Sequence, residues 1–443
     1  MSGLGALFVG IAALLIIFFG FSRLPLVSSA IYLGGILLFL GMIVVFPALR
    51  LNRSQVLSPR NLMLLSIALK ILVVPVLIAL FDYSYGVLPN LPSDRYTHMA
   101  HGIYLVAMAA CMLGFLFGFR QPTQEIRWVT PNWFMWSVIL LSFTASAIYP
   151  FQNLQQLTGG GGGTSLLSIA LTFVLFFKGL APLGIFYLLF RRGRGQTQQA
   201  FTLGKFIVGL VLLIAVSLSV NRASIIYPAL AFFTVYSLKN PRIKYWQVIL
   251  AGLIALTGLF WFGQARERYI LGDYVYQQRK HLSQMNNAVN NAQVYFNGPQ
   301  FGGYALRELE GRYATAPASF LESAPKIGER FRNTSGSYWY NFTIYRNTGI
   351  RDQVYPAQIE IYNNYGWVGI ALVYALIGYV LAQLHRTFTR ATNNPMLAYI
   401  TAYLTLLLCA FLNLSLSVAG QFLLYSSLPL LGFWWWMHFR KYS

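Results

Sequence analysis

The chain has 443 residues, of which 57% are hydrophobic and 10% charged, and its net charge is +21. Apolar stretches close to the roughly 20 residues that cross a bilayer recur throughout, which excludes an ordinary soluble protein and indicates a polytopic helical membrane protein. A nucleic-acid partner is not expected, because membrane topology accounts for most of the positive charge.

Hydropathy predicts an all-α fold of about 12 transmembrane helices with one large loop. The predicted spans are about 4–22, 25–48, 62–81, 102–119, 133–149, 165–190, 203–219, 223–238, 246–263, 366–383, 396–413 and 419–437. They divide the chain into a bundle of about nine spans (1–263), a large segment (264–360) and a bundle of about three spans (361–443). The first span lacks a basic leader and a cleavage site, so we expect it to be a retained helix.

Lys and Arg residues in the loops predict the orientation. With the N-terminus inside, most of the short-loop cations fall on the inner side, and the short outer loops hold only Arg23, Arg95 and Arg222. Both termini are therefore predicted to be cytoplasmic, and residues 264–360, here called the outer segment, lie outside. The inner charges also suit contact with anionic membrane lipids.

The outer segment carries most of the chain's acidic residues. It holds eleven basic and eight acidic side chains, whereas the whole chain has 11 acids. Ranges 275–296 and 303–313 are predicted to be helical, and prolines and glycines interrupt the remainder. A small folded unit is expected here, and it is the place where the chemistry should lie.

Three arginines are candidate ligands for an anionic group. Arg222, within Val220–Ser224, lies in a very short predicted outer connection and at the N-terminal end of the eighth span, and Arg266 and Arg268 open the outer segment. A guanidinium binds phosphate bidentately, and free N–H groups at a helix start also favour anions. The alternatives are that Arg222 contacts lipid headgroups and that one of Arg266 and Arg268 is structural.

The last third of the outer segment is rich in aromatic residues beside polar ones. Flat amphipathic rings stack on sugars while polar neighbours bind hydroxyl groups, and the alternative is an interfacial aromatic belt. The predicted substrate-binding residues are Arg312, Arg332, Trp339, Tyr340, Tyr355, Tyr362 and Asn364.

Glu360 is the candidate base, where the chain re-enters the membrane after Pro356-Ala357-Gln358-Ile359. Desolvation would raise the pKa of this carboxyl and a neighbouring arginine would lower it, so it acts either as a base or as the partner of an arginine. Lys70 and Lys178 fall near the middle of predicted spans, where a lysine either lines a polar path or bonds to neighbouring helices. No Asp-x-Asp or His cluster suggests a metal, and no cofactor is expected.

These motifs resemble a known family. An Asn-Arg-Ala-Ser sequence entering a late helix, Arg-Glu-Arg opening a large outer loop, and a Pro-x-x-x-Glu-x-Tyr-x-x-x-Gly-x-x-Gly re-entry are similar to the O-antigen and oligosaccharide repeat-unit polymerases of bacterial surface polysaccharide pathways. The resemblance covers roughly 205–385 at the level of motifs and the rest only as hydropathy. Related ligases and many polymerases place a histidine at the re-entry, whereas Pro356, Ala357 and Gln358 stand here.

The resemblance implies a GT-C-like, metal-independent glycosyltransferase in the bacterial cytoplasmic membrane. It would join polyprenyl-diphosphate-linked repeat units on the outer face, with Arg222, Arg266 and Arg268 at the diphosphate and Glu360 assisting the acceptor. A flippase and a chain-length regulator of the same pathway would be its partners. A ligase of O-antigen type shares the architecture, a flippase or exporter would explain the spans and the internal lysines, and a scaffold would not need such a polar outer site.

Overall fold

The computed structural model describes fourteen parts of the chain. They are residues 26–50, 55, 57–73, 94–120, 136–144, 180–190, 202–217, 223–240, 299–308, 315–322, 324, 328–345, 355–391 and 394–432. Within these ranges the regular structure is helical, and there is no β-strand. The all-α class is therefore confirmed for the described part of the chain.

Fourteen helices are labelled here in chain order. They are α1 (Leu26–Val45), α2 (Pro59–Ala68), α3 (Asp94–Arg120), α4 (136–144), α5 (Ala181–Phe190), α6 (Leu203–Ser217), α7 (Ala223–Lys239), α8 (Pro299–Glu308), α9 (Thr315–Leu321), α10 (Gly328–Phe331), α11 (Gly336–Tyr345), α12 (Ala357–Arg390), α13 (Pro395–Phe411) and α14 (Leu416–Phe422). Short 3₁₀ turns follow α1 (Pro47–Leu49) and α10 (Arg332–Thr334), and π turns extend α2 (Leu69–Val73) and α14 (Leu423–Ser427).

Three of the apolar helices, α2, α13 and α14, begin at a polar N-cap residue. The side chains of Ser58, Asn394 and Ser415 each accept a hydrogen bond from a backbone N–H in the first turn of α2, α13 and α14. Pro59 and Pro395 then occupy the first helical position, where a missing N–H leaves no bond unmade. Local sequence therefore determines where these helices begin.

Two of the described helices, α3 and α12, are long and apolar enough to cross a membrane by length and composition. α1 to α7 and α12 to α14 overlap the predicted spans in position. The total of twelve spans and the GT-C-like arrangement remain predictions.

α3 and α12 form the most extensive helix pair of the structure. Glycines lie where their backbones meet: a Cβ atom on Gly114 would collide with the carbonyl of Ala375, and one on Gly378 with the carbonyl of Cys111. Small residues allow apolar helices to approach this closely, and van der Waals contacts between the two backbones then hold the helices together. α2, α13 and α8 pack against this pair and complete the core around it.

α12 starts earlier than the predicted span and has a kink. The span was expected to begin at 366, whereas the helix begins at Ala357, and Gly366 departs from helical geometry with φ 62° and ψ −160°. A side chain is strained in that region of backbone space, which glycine adopts readily. The 24 residues after Gly366 would reach about 36 Å and suffice for a bilayer core of about 30 Å. Residues 357–365 are thus an additional segment that precedes the apolar part.

The described helices of the outer segment pack onto the start of α12 and its neighbours. α8 lies against α3, while α9 packs against α14 and also contacts α11 and α12. The contact between α9 and α14 is close, because a Cβ atom on Gly420 would collide with the carbonyl of Phe320. The Ser417 hydroxyl also donates to the Glu322 carboxylate. Helices of the outer segment and of the C-terminal bundle therefore meet at the first turns of α12.

Candidate functional site

Glu360 lies in the first turn of α12 and is fully buried. The turn is fixed in place by its backbone, since Pro356 precedes it and the N–H of Ala357 donates to the carbonyl of Leu414 at 3.2 Å. The start of α12 is thus attached to the loop between α13 and α14. The carboxyl group of Glu360 is held among α9, α11 and the residues just before α12.

One oxygen of the Glu360 carboxyl is part of a chain of hydrogen bonds. The Ser319 hydroxyl on α9 donates to Oε1 at 2.5 Å, and Ser319 Oγ accepts from the backbone N–H of Gly336 at 2.7 Å. Gly336 starts α11, and a Cβ atom there would collide with Oε1 and lie 2.6 Å from the Tyr355 ring. Only glycine fits at this contact, which brings α9, α11 and α12 together at one carboxyl group.

The other oxygen, Oε2, is buried and has no hydrogen-bond partner among the described residues. An unsatisfied polar atom in such a place is costly, so a native structure usually pairs it with a protein group, water or ligand. A hydroxyl or N–H donor of a bound molecule would satisfy an ionised Oε2. The Thr315 hydroxyl also acts on this carboxyl, but no described group meets hydrogen-bond geometry at Oε2, so this oxygen can accept from a bound molecule.

Burial raises the pKa of Glu360 from an ordinary 4.5 to about 7. The hydroxyls of Ser319 and Thr315 and the backbone of Gly336 oppose this rise, whereas the nearby Glu322 carboxylate adds to it. The carboxyl is therefore balanced between its protonated and ionised forms near neutral pH, as a general base or acid requires. The sequence left open whether burial raises this pKa or a neighbouring arginine lowers it. Among the described residues no arginine pairs with Glu360, and the effect of burial is the larger one.

Asn364, one turn after Glu360, connects the same turn to α9. Its amide donates to the carbonyl of Glu360 at 2.7 Å and to the Thr315 hydroxyl at 3.3 Å, and its Oδ1 accepts from the N–H of Ala316 at 3.3 Å. The start of α9 is thereby aligned with the turn that carries Glu360. Asn364 was predicted to bind substrate, and in the structure its amide atoms are engaged with protein groups.

The predicted aromatic residues have different surroundings. Tyr355 is 1% exposed, and its hydroxyl accepts from the Asn363 amide at 3.1 Å. Trp339 and Tyr362 are partly buried, and Tyr362 meets Trp367 edge to face with 5.0 Å between ring centroids. Tyr340 lies in α11, and its side chain is outside the described residues. Trp339 and Tyr362 thus expose part of their rings, whereas the ring of Tyr355 is buried.

The structure does not describe the side chains of the predicted arginines. Arg222, Arg266, Arg268 and Arg312 lie outside the described residues, and Arg332 has a described backbone but no described side chain. Their proximity to Glu360 stays a prediction. Within the described ranges, no group of three or more His, Cys, Asp or Glu side chains is placed to hold a metal ion.

Sequence reasoning did not identify Ser319, Thr315 or Gly336 as part of the site. Thr315 and Ser319 are four residues apart, so they share one face of α9, and both are buried. A short helix with two hydroxyls on one buried face could have been noticed. Gly336 carries no local signal, since only the approach of Glu360 makes it necessary.

Comparisons with protein-family models, curated proteins and solved structures found no match to this chain.

Proposed function

We propose that this chain polymerises polyprenyl-diphosphate-linked oligosaccharide repeat units at the outer face of a bacterial cytoplasmic membrane. The observation that carries the proposal is the buried carboxyl of Glu360, with one oxygen held by Ser319 and the other without a hydrogen-bond partner among the described residues. A sugar hydroxyl is such a donor. The position of this carboxyl at the start of a helix long enough to cross a membrane agrees with a substrate that is itself anchored in lipid.

In the proposed reaction, the acceptor hydroxyl of one lipid-linked unit attacks the anomeric carbon of the growing chain. The new glycosidic C–O bond forms while the bond from that carbon to the diphosphate oxygen breaks, and the polyprenyl diphosphate leaves with the electron pair. Glu360 Oε2 takes the hydroxyl proton and later returns it to solvent. Arg222, with Arg266 or Arg268, stabilises the charge on the leaving diphosphate, which is usually the largest contribution in such a step.

Access to Glu360 is a requirement of this mechanism. The side chain is fully buried beneath α9 and α11, so an acceptor hydroxyl reaches Oε2 only when one of these helices shifts. Both are short and lie in the outer segment. Closure after binding would exclude water from the reacting carbon and prevent hydrolysis of the donor.

The test is Glu360→Gln in the native host, with Glu308→Gln as the matched control. Glu308 lies on α8 and pairs with its neighbour Arg307 at 2.6 Å, away from the contacts of Glu360. We expect Glu360→Gln to slow polymerisation by about 10²- to 10⁴-fold, the usual contribution of a general base, and Glu308→Gln to leave it unchanged. Surface polysaccharide on a gel and the lipid-linked units of each leaflet are measured, beside the amount of inserted protein.

The accumulated intermediate distinguishes the rival functions. Single repeat units exposed on the outer leaflet support a polymerase. Units that remain on the inner leaflet would instead show a flippase, and long chains that stay on their lipid carrier would show a ligase. Normal polymer from a normally inserted Glu360→Gln variant would remove the proposed base.

A further inference from the structure

A buried lysine is bonded to the same helical turn as Glu360. Lys70 lies in the π turn that extends α2 and is 4% exposed. Its Nζ donates to Gln358 Oε1 at 2.9 Å and to the carbonyl of Leu412 at 3.1 Å. The amine of one helix thus connects the first turn of α12 to the end of α13.

The remaining surroundings of this amine are also occupied. The Tyr104 ring presents its face to Lys70 Nζ, with 3.9 Å to the ring centroid. Gln358 Nε2 in turn donates to the carbonyl of Leu412 at 2.6 Å. Two acceptors and an aromatic face surround the nitrogen, so Lys70 has little room for a phosphate ligand and is engaged with α12 instead.

We propose that Lys70 is a positioning residue for Glu360, acting through Gln358; this rests on the proposed function of Glu360 as the base. Gln358 and Glu360 are two residues apart in one turn and point to different sides of α12. Fixing Gln358 against Lys70 and Leu412 therefore fixes the rotation of the turn, and with it the direction in which the carboxyl group points toward α9 and α11.

The consequence for the reaction is a rate effect without an affinity effect. If Lys70 orients the base, then removing its amine lets the first turn of α12 rotate, and Oε2 moves away from the acceptor hydroxyl. Misplacement of about 1 Å lowers a rate by about 100-fold. The binding of the lipid diphosphate should not change, because the Lys70 amine is already bonded to Gln358 and Leu412.

The test compares Lys70→Met with Lys205→Met in the full-length protein. Lys205 lies on α6 and takes no part in the contacts at Gln358. With lipid-linked repeat units extracted from the host strain as substrate, we expect Lys70→Met to lower kcat by about 100-fold at an unchanged KM. Lys205→Met should keep both constants. A raised KM with an unchanged kcat would make Lys70 a substrate ligand and overturn the proposal.

A double-substitution cycle with Gln358→Met tests whether the effect passes through this amide. Coupled residues give non-additive changes, so Lys70→Met should cost little further rate in the Gln358→Met background. Independent, multiplying effects on kcat would overturn the proposal. Unfolding midpoints of the same four proteins report whether the Lys70 and Gln358 contact exists, without reference to any activity, and additive midpoint shifts would also overturn it.

Failure of the proposed function is recognised separately. If Glu360→Gln leaves kcat unchanged, the base is lost whatever Lys70 does, and the positioning role is lost with it. If Glu360→Gln lowers kcat while Lys70→Met does not, the function stands and only the positioning role is overturned.

Discussion

Glu360 shows how one side chain depends on groups far away in sequence. Its Oε1 accepts from the Ser319 hydroxyl, whose oxygen in turn accepts from the Gly336 N–H on another helix, while Oε2 has no hydrogen-bond partner among the described residues. The asymmetry matters chemically, because a carboxylate bonded at both oxygens would be stabilised in its charged form and would be a weaker base. The Glu360 carboxyl is thus held in place at one oxygen, and the other oxygen can still accept a hydrogen bond.

The raised pKa of Glu360 predicts a pH dependence of stability that needs no substrate. The folded chain holds a proton between pH 4.5 and about 7 that an unfolded chain has released. The stability contributed by protonated Glu360 is therefore fully present below pH 4.5 and is lost as the pH rises through about 7. We expect the unfolding midpoint of the wild-type protein in detergent to fall over this window, and that of Glu360→Gln to fall less.

Glu308→Gln is the control for this measurement, since it removes a carboxyl that is partly exposed. It should keep the wild-type dependence on pH. Equal slopes for wild type and Glu360→Gln would show that the carboxyl is not buried as described.

The sequence predicted Glu360 but not its surroundings. A carboxyl beside the predicted membrane entry, among aromatic residues, was visible from the order of residues alone. Its contacts were not, because Ser319 is 41 residues away and the approach of Gly336 arises only when α9, α11 and α12 pack together. The sequence alone therefore could not decide whether burial raises the pKa of Glu360 or an arginine lowers it. Among the described residues, burial is the dominant effect.

At the scale of elements, hydropathy located helices well and their ends less well. α6 and α13 begin at the predicted positions within a residue, because a polar or loop residue precedes a continuous apolar run. α12 was expected to begin at 366, since Gln358, Glu360, Asn363 and Asn364 make the preceding turns polar. In the helix these side chains bond to α9, Lys70, Leu412 and Tyr355. Such contacts between distant residues do not enter a hydropathy average over neighbouring residues.

The glycines between α3 and α12 predict a large effect of one added methyl group. Gly378→Ala places a Cβ atom against the carbonyl of Cys111, and the two helices must separate to accept it. We expect a loss of about 1–3 kcal/mol, the usual cost of overpacking, and a lower unfolding midpoint in detergent.

Gly34→Ala in α1 is the matched control, because a Cβ atom on Gly34 would meet no neighbouring atom within 4 Å. Alanine is the better helix former by up to about 1 kcal/mol, so this variant should unfold at the wild-type temperature or above it. Similar midpoints for Gly378→Ala and Gly34→Ala would contradict the close packing of α3 and α12.

At the scale of the whole molecule, the distribution of cations predicts which face is outside. Arg120 ends α3 on the predicted inner side, and Thr334 lies in the outer segment, and both side chains are exposed. We expect a membrane-impermeant maleimide to label Thr334→Cys in intact cells and Arg120→Cys only after permeabilisation. The reverse pattern would invert the orientation.

The native cysteines do not interfere with this experiment. Cys111 and Cys409 are buried within α3 and α13, so the wild-type protein should remain unlabelled in both conditions and serves as the blank.

The kink at Gly366 divides α12 into an anchored N-terminal part and an apolar C-terminal part. N-terminal to Gly366, the first turns of α12 are anchored by Leu412, Leu414 and Lys70. C-terminal to Gly366, the apolar part of the helix lies along α3. Transmembrane helices tilt to match bilayers of different thickness, and a rigid rod would transmit each tilt to its upper end. A joint at Gly366 would let the apolar part of the helix follow the lipid while Glu360 keeps its place, and would make the position of this carboxyl independent of membrane thickness.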